Sequence, residues 1–328
     1  MSKTYILVDT ANTFFRARHV VRGSLEDKVG MSIHTVLGSV RKAWRDFNGD
    51  HVIFFLEGRS WRKDFYTPYK RQRTEARAAQ SPREAEEDRV FWETFDQFKD
   101  FVINKTNTTV LQNPQLEADD LIAGWIQSHP KDNHVIISTD GDFAQLISPN
   151  VKQYNGVMQI TTTHEGYFDE KGKPVKDKKT GEAKGAPDPT WLLFEKCMRG
   201  DTSDNIFSAY PGVREKGTKN KVGLREAFAD RLTQGYNWNN MMLQRWVDHE
   251  GVEHRVRDRY LHNKTLIDLT EQPEDIKLAL DETINDAVNK QRVQSVGLHF
   301  VKFCSKWNLV TIADKMTDHG EYLGATYK

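Results

Sequence analysis

Carboxylates recur in this chain where apolar runs end. Asp9 directly follows Tyr5-Ile6-Leu7-Val8, Glu57 follows Val52-Ile53-Phe54-Phe55-Leu56, and Asp140-Gly141-Asp142 follows His134-Val135-Ile136-Ile137 after Ser138-Thr139. Glu117-Ala118-Asp119-Asp120 stands before the helical stretch Leu121 to Ser128, and Asp201 with Asp204 has the i,i+3 spacing that puts two carboxylates on one face of a turn. Singly, each group has an ordinary explanation: acids suit helix N-termini, Asp-Gly-Asp suits a turn, and a lone strand-end acid is simply solvated. Jointly they call for more, because like charges converging in a crevice repel and a bound cation is the usual remedy. Oxygen-only ligands select hard ions, Mg²⁺ with Mn²⁺ as a substitute, and the number of carboxylates suggests two ions. Two such ions about 3.5–4 Å apart activate a water and stabilise the attacking and leaving oxygens of a phosphoryl displacement. The chemistry implied is phosphodiester hydrolysis.

Positive charge is segregated from these acids. Arg59, Arg62, Lys63, Lys70, Arg71, Arg73 and Arg77 face only Asp64 and Glu75 between residues 59 and 77, a local net of +5, with Trp61, Phe65, Tyr66 and Tyr69 interleaved. Phosphates pair with such cations while exposed bases stack on such rings, a combination suited to a single strand. Lys70 and Arg73, three residues apart, can hold one phosphate together. A second basic stretch, Tyr210 to Gly223, carries Lys216, Lys219 and Lys221 among glycines ahead of a helix from Leu224, and backbone N–H groups there suit a phosphate. It is not a P-loop, since Thr218-Lys219 reverses the required order and no buried strand precedes it.

The elements that must position these groups follow from patterning. Short, continuous apolar runs suit strands buried on both faces of a parallel sheet. Between them, Ser32 is read as the cap of a helix with Ile33, Val36, Leu37, Val40, Trp44 and Phe47 on one stripe. Ser81-Pro82-Arg83-Glu84 is a capping box opening a helix striped by Phe91, Phe95, Phe98 and Val102. The alternation predicts an α/β domain over residues 1–190, in which strand carboxyl ends form the ligand crevice and three strands deliver acids to one rim. Residues 168–188 read as an exposed loop or hairpin, Pro189 to Arg199 as a helix stopped by Gly200, and 191–328 as a smaller helical domain.

The 328 residues, 38% hydrophobic and 29% charged, describe a soluble globular chain of about two domains. Two cysteines, Cys197 and Cys304, without CxxC or Cys/His spacing, exclude a disulfide framework or zinc site and fit a reducing cytoplasm. No apolar run approaches the ~18 residues of a membrane span, so neither export signal nor anchor is expected. Lys+Arg and Asp+Glu balance at 47 each, yet setting aside eight proposed ligands leaves 39 acids against 47 bases, or +8. The neutral total conceals a basic surface around an acidic pocket.

In order along the chain, Asp9, Tyr69-Lys70-Arg71-Gln72-Arg73, Glu117-Ala118-Asp119-Asp120, Ser138-Thr139-Asp140-Gly141-Asp142 and Gly200-Asp201-Thr202-Ser203-Asp204-Asn205-Ile206 with Pro211-Gly212-Val213 resemble the flap endonuclease (5′ nuclease) family, and within it the phage RNase H branch. Asn263-Lys264-Thr265-Leu266-Ile267-Asp268-Leu269 is similar to that branch as well. The resemblance implies a PIN-like nuclease core with a mostly parallel twisted sheet, a helical arch over 58–92, and a helix-hairpin-helix-like duplex-binding element over 201–229. It implies Mg²⁺-dependent 5′ to 3′ exonuclease and flap endonuclease activity on DNA bearing a 5′ flap, nick or RNA primer and on RNA–DNA hybrids, as in RNA primer removal during phage DNA replication beside replication proteins. The protein would be a monomer in the cytoplasm of the infected host. By motif position Asp9, Glu57, Glu117, Asp119 and Asp140 would hold the first metal, and Asp142, Asp201 and Asp204 the second. Lys70 and Arg73 would meet the scissile phosphate, with Asp140 and Asp142 counted among the catalytic groups. Arg59, Arg62, Lys63, Lys216, Lys219 and Lys221 would bind nucleic acid, Tyr69 would stack on a base, and residues 211–223 would hold a monovalent cation. Glu57 stands where the family usually has Asp, and Val213 to Val222 is longer than the family's compact turn. The competing reading is a non-catalytic, structure-specific DNA-binding protein. A haloacid-type phosphatase would need a second Asp where Ala11 sits.

Overall fold

A computed structural model describes residues 2–21, 23–210, 223–248 and 250–328. Seven strands, β1 (Thr4–Asp9), β2 (His51–Leu56), β3 (Thr109–Gln112), β4 (Asn133–Ile137), β5 (Val151–Asn155), β6 (Ile160–Thr163) and β7 (Gly166–Phe168), form one sheet in the order β3-β2-β1-β4-β5-β6-β7. The first five run parallel, and β6 and β7 add an antiparallel edge. Every residue of β2 is buried, and so is β1 from Tyr5 onward, as a sheet covered on both faces requires. Alternation decides which face each side chain serves. Ile6, Val8, Val52, Phe54, Val135 and Ile137 pack into the main core with the helices Leu25–Asp46 and Pro82–Asn104. On the opposite face Tyr5 meets Trp125 of the helix Ala118–Ser128 edge-on at 5.3 Å.

Contacts divide the chain into two units. The first comprises Met1–Ser60, Gln80–Pro187 and Asp275–Lys328, and the second Trp61–Ala79 and Asp188–Glu274. A boundary does fall near residue 190, between Pro187 and Asp188, but the chain leaves the first unit twice and returns, so that 61–79 join the second unit and 275–328 the first. The reason is packing: Phe300 and Phe303, on the helix Val296–Lys306, join the main core, where Phe303 stacks on Phe101 at 4.2 Å. The arch region 58–92 is likewise shared, since 61–79 belong to the second unit and its remainder to the first.

The stripe Phe91, Phe95, Phe98 and Val102 is buried, and Ser81 caps its helix through the expected box with Glu84. Ser32, by contrast, is an interior helical residue whose hydroxyl donates to the Lys28 carbonyl. The helix begins two turns earlier, at Ser24, which forms its own capping box with Asp27. Residues 169–187 are mostly exposed, with single bridges between Phe168 and Pro174 and between Lys176 and Ala183. In the second unit, the helix Pro189–Arg199 ends at Gly200, and Trp191, Phe194 and Met198 on it form a core with Leu224, Met241 and Val256.

Candidate active site

The parallel strands point their carboxyl ends one way, so Asp9 at the end of β1, Glu57 just past β2 and Asp140 three residues past β4 share one rim of the first unit. The sheet's switch point lies there too: β1 is flanked by β2 on one side and β4 on the other, which opens a crevice at their carboxyl ends. Asp9 is buried while Glu57 is exposed. Ser138 donates to Asp9 Oδ2 at 2.8 Å and the Asn12 N–H to Oδ1 at 3.3 Å. Burial and the charges of Glu57 and Asp140 outweigh these donors and push the Asp9 carboxyl up to about 7.

Glu57 aims at the start of the helix Ala118–Ser128, accepting from the Ala118 N–H at 3.2 Å. Glu117, buried beside it, accepts from Ser60 Oγ at 2.8 Å, while Asp120 accepts the Glu117 N–H at 3.3 Å. The exit from β2 is fixed by backbone: Gly58 N–H donates to Leu116 O and Arg59 N–H to Pro114 O. A Cβ on Gly58 would lie 2.0 Å from Asn113 O and 2.7 Å from Leu116 O, so only glycine allows the two segments to approach. On the other side of β1, Asp140 caps the 3₁₀ turn Gly141–Leu146 by accepting the Asp142 N–H at 2.9 Å. Its own N–H donates to Ser138 Oγ at 3.0 Å, and Gln153 Nε2 donates to its carbonyl at 2.6 Å. Asn12 Oδ1 receives both N–H and hydroxyl of Thr139, at 3.0 and 2.9 Å.

Of the expected ligands, then, Asp9, Glu57, Glu117, Asp119, Asp140 and Asp142 all fall in the first unit, on segments that follow β1, β2, β3 and β4. Asn12, Ser60, Ser138 and Gln153, which orient them, escaped the sequence reading. Ser138 carries a usable signal, being a hydroxyl residue squeezed between a buried strand and a carboxylate; Gln153 on a separate strand carries none.

Asp201 and Asp204 lie in the second unit with the basic cluster. Lys70 adopts a left-handed conformation (φ 53°) and caps the helix Arg71–Ala78, its N–H donating to Asp204 O at 2.9 Å. The Asp204 carboxylate is ringed by donors: Tyr69 OH at 3.1 Å, Arg73 at 2.8 Å and Lys70 Nζ at 3.8 Å. Gln72 donates to the Thr202 and Ser203 carbonyls at 2.7 and 3.1 Å, and Asn205 to Pro68 O at 2.9 Å. Asp201 pairs with Lys196 at 2.8 Å and accepts both N–H and hydroxyl of Ser203 at 2.7 Å. Burial alone would raise its pKa, but Lys196 and Ser203 hold it below the usual carboxylate value.

Two expected nucleic-acid contacts take other roles. Tyr69 is buried among Cys197, Ile206, Leu266 and Ile267, so its ring has no open face for a base. Arg62 is buried as well, with Nε donating to Leu266 O at 2.7 Å and its guanidinium 4.6 Å from the Trp61 ring centre. Arg59 and Arg73 remain exposed and Lys63 is half-buried. Lys216, Lys219, Lys221 and the monovalent-cation turn at 211–222 lie outside the described residues.

The first unit is thus a doubly wound α/β fold with acids massed at the switch point of its sheet. The family profile described as 5′-3′ exonuclease, N-terminal resolvase-like domain, matches residues 4–177, and the chain belongs to that family. It is 27% identical over 246 residues to a DNA polymerase I of Rhizobium leguminosarum, covering 68% of this chain and 20% of that protein. With the ribonuclease H of Enterobacteria phage T4 it shares 30% identity over 198 residues, 56% of each. The chain thus spans less than two thirds of the length of these relatives. The phage T5 flap endonuclease, solved as a pseudo-enzyme-product complex with DNA and metal ions, has the same fold, with a TM-score of 0.57 and 18% identity over 97% of this chain and 100% of that one.

Proposed function

We propose that this protein is a structure-specific 5′ nuclease, a 5′ to 3′ exonuclease and flap endonuclease that hydrolyses phosphodiesters in DNA carrying a 5′ flap, nick or RNA primer and in RNA–DNA hybrids. The observation that carries the reading is the rim itself: burial, and then the neighbouring charges of Glu57 and Asp140, raise the Asp9 carboxyl to about 7, with Glu117 and Asp119 at the start of a helix. Such a donor set fits a hard divalent ion, because a cation removes the repulsion that the protein itself leaves in place. Asp9, Glu57, Glu117, Asp119 and Asp140 would hold it, and Mg²⁺ is the ion we infer. When bound, it supplies an acidified water and neutralises charge on the phosphate.

The chain's own groups do the rest. Ser138, Asn12 and Ser60 hold carboxylates in one orientation, so that no reorganisation is needed when substrate arrives. Lys70 and Arg73 are the cations read for the scissile phosphate; because both face Asp204, a phosphate must compete with that carboxylate for them. Gene replication, with removal of RNA primers in the cytoplasm of a phage-infected cell by a monomer, is the setting we infer; two buried, unbonded cysteines suit that compartment.

The experiment is cleavage of a 5′-labelled flap, a nicked duplex, an RNA-primed duplex and a closed circular single strand, each with Mg²⁺ or with EDTA. The reading expects Mg²⁺-dependent products from the first three, with 5′-phosphates, and none from the circle. Tight flap binding without cleavage in Mg²⁺ or Mn²⁺ would establish the non-catalytic alternative instead.

A further inference from the structure

With Tyr69 buried, the basic stretch keeps one aromatic side chain largely in solvent. Phe65 is 48% exposed, whereas Trp61 and Tyr69 are buried and Tyr66 is half-buried. It closes the single helical turn Arg62–Phe65, in which the Asp64 and Phe65 N–H groups donate to Trp61 O at 3.0 and 3.3 Å. Solitary exposed apolar side chains are common on protein surfaces and need no function. Phe65 differs in how it is held.

Its ring stacks on the His262 imidazole, with centroids 5.1 Å apart and planes 23° from parallel, and meets Trp61 edge-on at 6.3 Å. His262 comes from the helix Val256–Ile267 of the same unit, and Tyr66 packs edge-on against it at 5.2 Å. One face of Phe65 is therefore backed by a second ring, which leaves its exposure to the opposite face. The support beneath is fixed as well: the Arg62 guanidinium lies 4.6 Å from the Trp61 ring centre and is tied to Leu266 O at 2.7 Å. A ring held in this way presents a flat apolar surface and loses little side-chain freedom when something lands on it. Around it, residues 61–79 carry six basic residues against Asp64 and Glu75, a charge that draws polyanions. An acidic peptide would meet the charge and leave the ring bare, and a paired duplex offers phosphates without a free base face. A single strand answers both, since its phosphates meet cations while any base stacks on an aromatic ring whatever its identity.

We propose that Phe65, held flat by His262, is the platform on which an unpaired base of the 5′ flap stacks, and that this contact makes the protein favour a flap over a nick. The inference rests on the reading of the chain as a 5′ nuclease and adds the residue that recognises the single-stranded arm.

Binding of the full chain, in EDTA, to a labelled 5′-flap duplex, to the same duplex with an abasic flap, and to a nicked duplex tests this by fluorescence anisotropy. Wild-type protein is expected to bind the normal flap about 5-fold or more tightly than the abasic one. In Phe65→Leu, which keeps an apolar side chain and removes the ring, that ratio should fall to about 1 while nick binding stays within about 2-fold. Phe65→Trp should keep the ratio, and His262→Ala, which leaves the ring unbacked, should shrink it. A ratio near 1 in the wild type, a ratio unchanged in Phe65→Leu or His262→Ala, equal losses on flap and nick, or a Phe65→Trp variant as indifferent to bases as Phe65→Leu would overturn the proposal. A wild type that binds the flap with this ratio yet never cuts it in Mg²⁺ would sink the nuclease reading and leave the platform standing.

Discussion

At the scale of single residues, Asp9 shows what crowding carboxylates at one rim does. Its folded-state pKa, about 7 against an ordinary 3.8, is raised by burial and then by Glu57 and Asp140. A carboxyl with a raised folded pKa stabilises the fold below its unfolded pKa and loses that contribution as pH rises through the folded value. Metal-free protein should therefore lose melting temperature between about pH 4 and pH 7 through this group. Asp9→Asn should flatten that slope and abolish metal-dependent cleavage by at least 100-fold; a slope unaltered in the variant would refute the account. Asp204 makes a matched pair of tests. Asp204→Asn removes the counter-charge of Lys70 and Arg73, and should lower stability by about 1–2 kcal/mol and cleavage at least 100-fold. Tyr69→Phe removes one donor to the same carboxylate and should cost about 1 kcal/mol in denaturant unfolding while cleavage stays within a few-fold.

Elements were legible to the degree that their burial is local. β1, β2 and β4 announced themselves because strands covered on both faces read as continuous apolar runs, here Tyr5 to Val8, Val52 to Leu56 and Val135 to Ile137. β3, β6 and β7 hold only four, four and three residues, and their Thr-Val-Leu-Gln, Ile-Thr-Thr-Thr and Gly-Tyr-Phe give periodicity too little to work on. The same limit explains Tyr69 and Arg62: a basic, aromatic-rich stretch shows which groups could touch nucleic acid, while the cores that claimed these two are built from Cys197, Ile206 and Leu266, more than a hundred residues away. The acid sites, in contrast, were readable because a strand's end fixes where its next residue points. That logic makes Gly58 a critical joint between β2 and the helix Ala118–Ser128. Gly58→Ala should destabilise the fold by about 1–3 kcal/mol through overpacking against backbone. Urea unfolding measures this, and an unchanged midpoint would mean the joint has room that its geometry denies.

At the scale of the whole molecule, the excursion of the chain governs what can be removed. Residues 171–185 are exposed and held to β7 by few bridges. Replacing them with a short Gly-Ser turn should leave the melting temperature within a few degrees, because no core side chain is lost. The boundary near residue 275 was illegible since nothing in composition marks it: the helix Glu274–Val288 begins directly after Gln272-Pro273, in a region already read as helical.

That return of the chain sets a timetable for biosynthesis. Residues 188–274 leave the ribosome before Phe300 and Phe303 exist to cover Phe98 and Phe101. The nuclease sheet must therefore wait, incompletely sealed, through the synthesis of an entire intervening unit, while that unit already has both of its segments and can close. Protease protection of nascent chains stalled at successive lengths should appear first for 188–274 and only after about residue 310 for the sheet.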